Sequence, residues 1–190
     1  MVTIPIKNMV CRHCMESVLG VFKEMDLEVS AIRLGEVEVS ANEKELDFGR
    51  LKRLLERNGF ELIENRELQI VEKIKTLIVE MIHHNDKLPT VKNSVYLSER
   101  LGMSYPHLSQ SFSKHEHLTI EKYIILQKIE RVKELISYGE QSLSEIAYEL
   151  GYGSVQHLSN QFRSVTGLSV TQFKKLKIKP RKEINKVGEK

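Results

Sequence analysis

The segment SEIAYELGYGSVQHLSNQFRSVTGLS, from Ser144 to Ser169, decides the fold of the second half of this chain. The letters SLSE that overlap its start are a capping-box pattern, which typically begins a helix, and Gly151 is suited to end that helix. Ser154 then fits the N-cap of another helix over Val155 to Val165. The segment therefore predicts two short helices joined by a tight turn.

The same pattern occurs a second time, fifty residues earlier. The run HLSQSF from His107 to Phe112 returns as HLSNQF from His157 to Phe162. The glycines that precede the two runs, Gly102 and Gly151, lie forty-nine positions apart, so the turn of the second copy is one residue longer. Two helix-turn-helix units in one chain are typical of a protein that reads DNA.

Two longer helices are predicted around these units. A helix from Thr119 to about Tyr138 bridges the copies, and a short last helix begins after Ser169. Between Glu67 and His84 the apolar residues recur every three or four positions, which predicts one long amphipathic helix. No Gly, Ser or Pro-rich linker precedes this helix, so we expect the two halves of the chain to be coupled mechanically.

The first 65 residues alternate between strand and helix patterns. A Val-Ile-Ile alternation from Val2 to Ile6 predicts a strand, and Gly35 suits a hairpin turn between two further strands. Asn58-Gly59 reads as the end of the second helix and precedes a short last strand. The order is that of an α+β, ferredoxin-like βαββαβ domain, followed by an all-α domain of about seven helices.

Length and charge agree with this division. A chain of 190 residues with 41% hydrophobic content can bury two modest cores, so we predict domains at residues 1–65 and 66–178. The net charge is −3 over residues 1–65 and +6 over residues 66–190, but residues 174–190 hold 8 basic and 2 acidic side chains. Residues 179–190 are therefore expected to be a basic, disordered tail, and the alternative is a tail that adds salt-sensitive attraction to phosphates.

Two classes of protein lack support in the sequence. No long apolar run or secretory leader is present, which predicts a cytoplasmic protein with no membrane partner. No nucleophile with its base, phosphate-cradling glycine loop or three-ligand open metal site is recognisable, which argues against an enzyme.

Cys11 and Cys14 are the chemically distinctive residues of the first half. They lie in the run NMVCRHC, where a loop opens a helix, and their spacing lets two thiolates face one small ion. Soft thiolates favour Cu(I) over harder divalent ions, and Zn(II) usually takes four ligands. Met9 is expected to fill the core and His13 to face solvent.

The Met-x-Cys-x-x-Cys run, the strand before it and the Gly59-Phe60 pair resemble a heavy-metal-associated domain of the copper-chaperone type. The resemblance covers about 65 residues and implies that Cys11 and Cys14 bind Cu(I), with Zn(II), Ag(I) or Hg(II) as other candidates. Asn8 departs from the family pattern, since a glycine is common there. A thiol redox switch, or a domain that keeps the fold without binding metal, remains an alternative.

The segment from Ser144 to Ser169, together with its partner copy, resembles the DNA-binding domain of the AraC/XylS family of transcription regulators. The resemblance covers about Glu67 to Lys177 and departs at His117, where a glycine is frequent. It implies that two recognition helices enter successive major-groove segments of double-stranded DNA. It also suggests an activator that recruits RNA polymerase, although repression fits the residues as well.

Candidate DNA-contacting residues follow from their positions in the two recognition helices. Gln and Asn can pair with adenine edges, and Val can contact a thymine methyl group. The base-facing candidates are Pro106, Ser109 and Gln110 in the first helix and Val155, Gln156, His157 and Asn160 in the second. The phosphate-facing candidates are Ser104, Lys114, Ser154 and Arg163. His107 and His157 precede buried leucines, so each fits packing as well as DNA contact.

The sequence as a whole favours a metal-responsive transcription regulator. Metal at Cys11 and Cys14 is expected to change the packing of the first domain against the helix near Glu67, or to join two chains through shared thiolates. One alternative is a regulator whose first domain docks a partner or senses thiol oxidation. A metallochaperone is a further alternative, but it leaves the repeated helices without a role.

Overall fold

The computed structural model describes residues 1–42, 44, 46–85 and 88–188. The chain divides into two compact units, Met1–Thr76 and Leu77–Lys190. The first unit contains a small sheet, and the second is mostly helical. Among the described residues, no helix is both long enough and apolar enough to cross a membrane.

The first unit has the predicted alternation of strands and helices. Its elements are β1 (Val2–Lys7), α1 (Arg12–Glu24), β2 (Val29–Arg33), β3 (Glu36–Val39), α2 (Phe48–Arg57) and β4 (Glu61–Leu62). The strand order is β2-β3-β1-β4, and every neighbouring pair is antiparallel. Gly35 makes the hairpin turn between β2 and β3 with a φ of 84°, a backbone conformation that glycine adopts without steric cost.

The core of this unit lies between the sheet and its two helices. Alternate residues of β1 and β3 point into it, and so do the apolar faces of α1 and α2. Asp47 caps α2 by accepting a hydrogen bond from the Arg50 backbone N–H. The fully buried members are Ile6, Val18, Phe22, Val37, Val39, Leu51 and Leu55.

The helix predicted from Glu67 to His84 consists of two parts. An α-helix, α3, runs over Arg66–Val79, and a π-helical turn continues it over Glu80–His84. The division between the units falls within α3, so this helix contributes to both. Wider π-helical turns are rare and occur frequently at functional sites.

The second unit continues with six α-helices among its described residues, which makes seven with α3. They are α4 (Asn93–Leu101), α5 (Tyr105–Glu116), α6 (Ile120–Tyr138), α7 (Leu143–Glu149), α8 (Val155–Thr166) and α9 (Val170–Lys175). The long helix α6 contacts α5, α7 and α8, as expected for a bridge between the two copies.

The expectation of a disordered tail is wrong for residues 180–188. Lys133 donates a hydrogen bond to the Pro180 carbonyl at 3.2 Å, and the Lys182 N–H donates to the Glu130 carboxylate at 3.0 Å. Val187 is only 3% exposed. Composition alone suggested disorder, but α6 offers buried charged partners to this segment. Residues 189 and 190 lie outside the described residues.

Candidate nucleic-acid interface and thiol pair

The first helix-turn-helix unit comprises α4 and α5. Gly102 ends α4 in a left-handed conformation with a φ of 64°, and Ser104 is the N-cap residue of α5. Pro106 lies in the first turn of α5, where the lack of an N–H costs little. Pro106 and Gln110 are exposed, and Ser109 is half-buried. The three predicted base-facing residues of α5 therefore have side chains that solvent reaches.

The second helix-turn-helix unit comprises α7 and α8. The predicted capping box begins α7, and Gly151 adopts a φ of 66° in the turn. Ser154 caps α8 by accepting a hydrogen bond from the His157 N–H at 3.1 Å. Two residues lie between Gly102 and the start of α5 and three lie between Gly151 and the start of α8, so the longer second turn is confirmed. Gln156, His157 and Asn160 are exposed, and Val155 is half-buried.

The fifty-residue offset also holds in the packing behind each recognition helix. Phe112 of α5 packs on Tyr123 with ring centroids 5.4 Å apart, and Phe162 of α8 packs on Phe173 at the same distance. All four residues are at most 1% exposed, so each pair anchors its recognition helix in the core. The matching pairs place the same kind of ring-to-ring contact behind both helices.

The two histidines before the buried leucines face outward. Leu108 and Leu158 are completely buried, whereas His107 and His157 are exposed. The His157 ring nevertheless stands edge-on to Tyr152, with centroids 5.3 Å apart. His157 thus combines an exposed position on α8 with a packing contact in the turn.

Two predicted base-reading amides on α8 contact each other. Gln156 Nε2 donates a hydrogen bond to Asn160 Oδ1 at 2.8 Å. Pairing along one helix face holds the two side chains together, and Gln156 keeps its amide oxygen and Asn160 its amide nitrogen for other partners. Such a pair can present a fixed set of donors and acceptors to base edges.

A groove beside α8 brings in residues that the sequence did not single out. It has a volume of about 300 Å³ and is lined by Asn160 and Arg163 of α8 and by Thr171 and Lys174 of α9. The sequence assigned Lys174 only to the basic end of the chain. The fifty-residue offset gave no signal for it, because the equivalent position in the first copy is Ile124.

The phosphate-facing candidates lie at the start and in the later turns of the two recognition helices. Ser104 and Ser154 are the exposed N-cap residues of α5 and α8, and Lys114 and Arg163 are exposed in their later turns. Backbone N–H groups at helix N-termini and cationic side chains are both common phosphate contacts. The four residues thus have the exposure and chemistry that phosphate contact requires.

Contacts with α6 fix the position of each helix-turn-helix unit. Lys128 donates a hydrogen bond to the Leu150 carbonyl at 2.7 Å, and its ammonium group lies 5.4 Å from the centre of the Tyr152 ring. Burial lowers the pKa of Lys128 and raises that of Tyr152 to about 12. At the start of α5, the Tyr105 hydroxyl donates to the Glu121 carboxylate.

Comparisons with known proteins agree with this geometry. Residues 97–176 match a family model described as a helix-turn-helix domain. This part of the chain is thus similar to a helix-turn-helix domain. The relatives named HTH-type transcriptional activator RhaS from Salmonella arizonae, Salmonella paratyphi B and Salmonella newport are each 28% identical to the chain over 67 residues.

These matches concern part of each protein. They cover 35% of this chain and 24% of each relative, so the chain spans about a quarter of the length of the curated relatives it matches. Together the family model and the relatives support the resemblance to an AraC-type DNA-binding domain for this part of the chain.

The thiol pair lies at the start of α1. Cys11 is the N-cap residue and Cys14 stands in the first turn, with the two sulfur atoms 3.3 Å apart. Both are half-buried free thiols. Burial raises the pKa of the Cys14 thiol, while hydrogen bonds from the backbone of Val10 and Cys11 favour its thiolate form. In the described part of the chain, no group of three or more His, Cys, Asp or Glu side chains is arranged to hold a metal ion.

The loop before α1 explains the departure at Asn8. Asn8 adopts a φ of 74°, in the left-handed region that glycine usually fills and that asparagine tolerates best among the other residues. Its side-chain amide donates a hydrogen bond to the Gly59 carbonyl at 3.1 Å, which ties the loop to the end of α2. Met9 is 2% exposed and Phe60 is 7% exposed, so both pack in the core, and His13 is exposed as expected.

Proposed function

We propose that the chain is a metal-responsive, sequence-specific DNA-binding transcription regulator. In this proposal residues 1–65 form a ferredoxin-like, heavy-metal-associated domain, and residues 66–178 form the double helix-turn-helix domain. The antiparallel sheet with β1 between β3 and β4, and the two helices packed on it, support the first assignment. The observation that carries the function is the pair of recognition helices, each supported by the same buried aromatic contact.

DNA reading is assigned to the exposed faces of α5 and α8. The base-facing and phosphate-facing residues are those predicted from the sequence, with Thr171 and Lys174 added at the groove beside α8. The bonded Gln156 and Asn160 make α8 the better equipped of the two helices for direct reading of bases. The match to proteins named transcriptional activators favours activation, for which RNA polymerase is the proposed partner.

Cys11 and Cys14 are the proposed metal ligands. Their sulfur atoms are 3.3 Å apart at the start of a helix, and two soft donors fit Cu(I) better than a hard divalent ion. A bound Cu(I) would supply a link between the two thiolates, or between thiolates of two chains in a homodimer. Ag(I), Hg(II) and Zn(II) are the other ions to test.

Contacts inside the first unit connect the thiol loop with α3. The Gly35 carbonyl accepts a hydrogen bond from the Ile6 N–H at 2.8 Å, just before the loop begins at Asn8. The same hairpin lies against α3, since a Cβ added at Gly35 would be 2.9 Å from Thr76 Oγ1. Lys73 of α3 also pairs with Glu36 at 3.6 Å. A change in the loop can therefore reach α3 through the hairpin.

The test is capture of fragments of the source genome by the full-length, reduced protein, with and without one equivalent of Cu(I). We expect a defined site whose occupancy changes with metal. The double variant Cys11→Ser, Cys14→Ser should bind the same site without the metal response, and His13→Ala, which alters the exposed residue between the ligands, should keep it. A full metal response in the double variant would disprove sensing by these cysteines.

Thiol oxidation is the second candidate signal, because the two sulfur atoms already lie within contact distance of each other. Capture after treatment with oxidised glutathione distinguishes it: occupancy would then respond to the oxidant and not to Cu(I). Indifference to both would direct the search to a docking partner of the first unit. A protein that captures no defined site would overturn the proposal as a whole.

A further inference from the structure

Gln127 is a polar residue at the centre of the second unit. It lies on α6, is 0% exposed and makes three hydrogen bonds. Its Oε1 atom is 2.9 Å from His83 Nε2, and its Nε2 atom donates to the Tyr123 hydroxyl at 2.9 Å and to the Ile184 carbonyl at 3.0 Å. With this amide orientation His83 Nε2 carries the proton. A buried amide whose oxygen and nitrogen both make hydrogen bonds fixes the relative position of the three groups that it contacts.

Tyr123 connects this network to the first recognition helix. Its ring packs on Phe112, and both side chains are at most 1% exposed. Phe112 lies on the buried face of α5, whose outer face carries Ser109 and Gln110. Close-packed side chains transmit displacement, so a shift of the tyrosine ring must move α5 or open a cavity beside it.

The second recognition helix is supported differently. Its aromatic pair has the same centroid distance, but the residue equivalent to Tyr123 is Phe173, which has no hydroxyl group. The residue fifty positions after Gln127 is Lys177, which is exposed. Among the described residues, the Gln127 network therefore belongs to the first copy, and α8 is linked differently, since its Gln161 accepts a hydrogen bond from the Tyr152 hydroxyl at 2.7 Å.

The other two bonds of Gln127 reach elements outside the repeats. His83 belongs to the π-helical turn that continues α3, and Ile184 belongs to the segment that packs on α6. The same segment also passes close to Tyr123 at Gly188, where an added Cβ would lie 3.3 Å from the ring. Gln127 thus joins the end of α3 and the C-terminal segment to the support of α5.

We propose that Gln127 is a positioning residue for the first recognition helix. Through Tyr123 it sets the position of α5 according to the state of the α3 end and of residues 180–188. The DNA segment read by α5 is then the regulated one, and the segment read by α8 is the constant anchor. This inference rests on the proposed DNA binding, and it does not depend on which signal, metal or other, reaches α3.

The test uses full-length protein with Tyr123→Phe, which keeps the ring and gives the first copy the aromatic pair of the second. Tyr138→Phe is the matched control, because Tyr138 is an exposed tyrosine of α6 whose hydroxyl donates to Glu134. A binding site is selected from random duplex DNA, and Gln110→Ala and Gln156→Ala identify the segments read by α5 and α8. Affinity is then measured for the full site and for sites with either segment replaced.

We expect Tyr123→Phe to weaken binding to the full site by about fivefold, the lower end of typical coupling between sites. In this variant, the loss of affinity caused by replacing the α5 segment should shrink by the same factor. The loss of affinity caused by replacing the α8 segment should not change. Tyr138→Phe should bind the full site with wild-type affinity. Equal effects on both segments, or on neither, would overturn the inference. A wild-type protein that selects no site would overturn the proposed function and this inference with it.

Hydrogen exchange without DNA distinguishes failure of this inference from failure of the proposed DNA binding. Peptides from α5 should exchange faster in Tyr123→Phe than in wild type, and peptides from α8 should be unchanged. Unchanged exchange in α5 would overturn the role of Gln127 even if the protein binds its site normally. Gln127→Met, which removes the amide but keeps much of its volume, should reproduce the α5 effect.

Discussion

Protonation of His83 should destabilise the protein in mild acid. Burial lowers the pKa of His83 from 6.5 to about 4; the Gln127 hydrogen bond and Glu134 act in the opposite direction, while Arg131 and His84 add to the lowering. Because the folded pKa lies below the unfolded one, the unfolded chain binds the proton first. The free energy of unfolding should therefore fall as the pH drops from about 6.5 to about 4.

The size of the effect follows from the shift. One pKa unit corresponds to about 1.4 kcal/mol, and between about pH 7 and pH 4.5 the expected loss is about 2 kcal/mol. His83→Gln is the comparison, since glutamine stays neutral over this range and can still bond Gln127. Carboxylates titrate in both proteins, so only the difference between wild type and variant reports on His83.

Urea unfolding followed by far-ultraviolet circular dichroism measures this difference, because most of the helical signal comes from the second unit. We expect the difference in free energy of unfolding, wild type minus His83→Gln, to fall by about 2 kcal/mol between about pH 7 and pH 4.5. A difference that is the same at both pH values would refute the reasoning. It would mean that His83 is protonated as readily in the folded chain as in the unfolded one.

The remaining predictions concern backbone conformation and caps, each measured by urea unfolding. His117 ends α5 with a φ of 56° and Gly167 ends α8 with a φ of 75°, so His117→Gly should stabilise by up to about 1 kcal/mol and Gly167→Ala should destabilise by about 1 kcal/mol. Ser142→Ala removes a complete capping box and should cost about 1 kcal/mol. Gly35→Ala should cost more than Gly167→Ala, because its Cβ would also meet Thr76 at 2.9 Å, and equal losses would contradict that contact.

The helices and the turns between them were predictable because their signals are local. Caps, the periodicity of apolar residues and left-handed glycines identify each helix within a few residues, and the fifty-residue offset identified the equivalent core positions. The offset also placed Phe112 and Phe162 at equivalent positions, and both are buried. It gave no information about the surroundings of those rings, since Tyr123 and Phe173 look interchangeable in a hydrophobic pattern.

Contacts between distant parts of the chain were not predictable. The polar composition of residues 179–190 indicated disorder. The contacts that hold residues 180–188 were not visible in that composition, because Glu130 and Lys133 belong to a helix some fifty residues earlier. The His83-His84 pair read as an ordinary helix end, and nothing local marked Gln127 as its partner. Asn8 read only as a departure from a family pattern until its positive φ and its bond to Gly59 gave it a role.

The helix formed by α3 and its π-helical turn makes one contact in each unit. At Thr76 it lies against the hairpin that bonds the strand before the thiol loop, and seven residues later His83 bonds Gln127 behind the first recognition helix. A helix is stiff over such a length, whereas a π-helical turn is a place where its winding can change. Because, within the described residues, Gln127 and Tyr123 connect His83 to the first copy and not to the second, the two recognition helices should respond unequally to a change at His83.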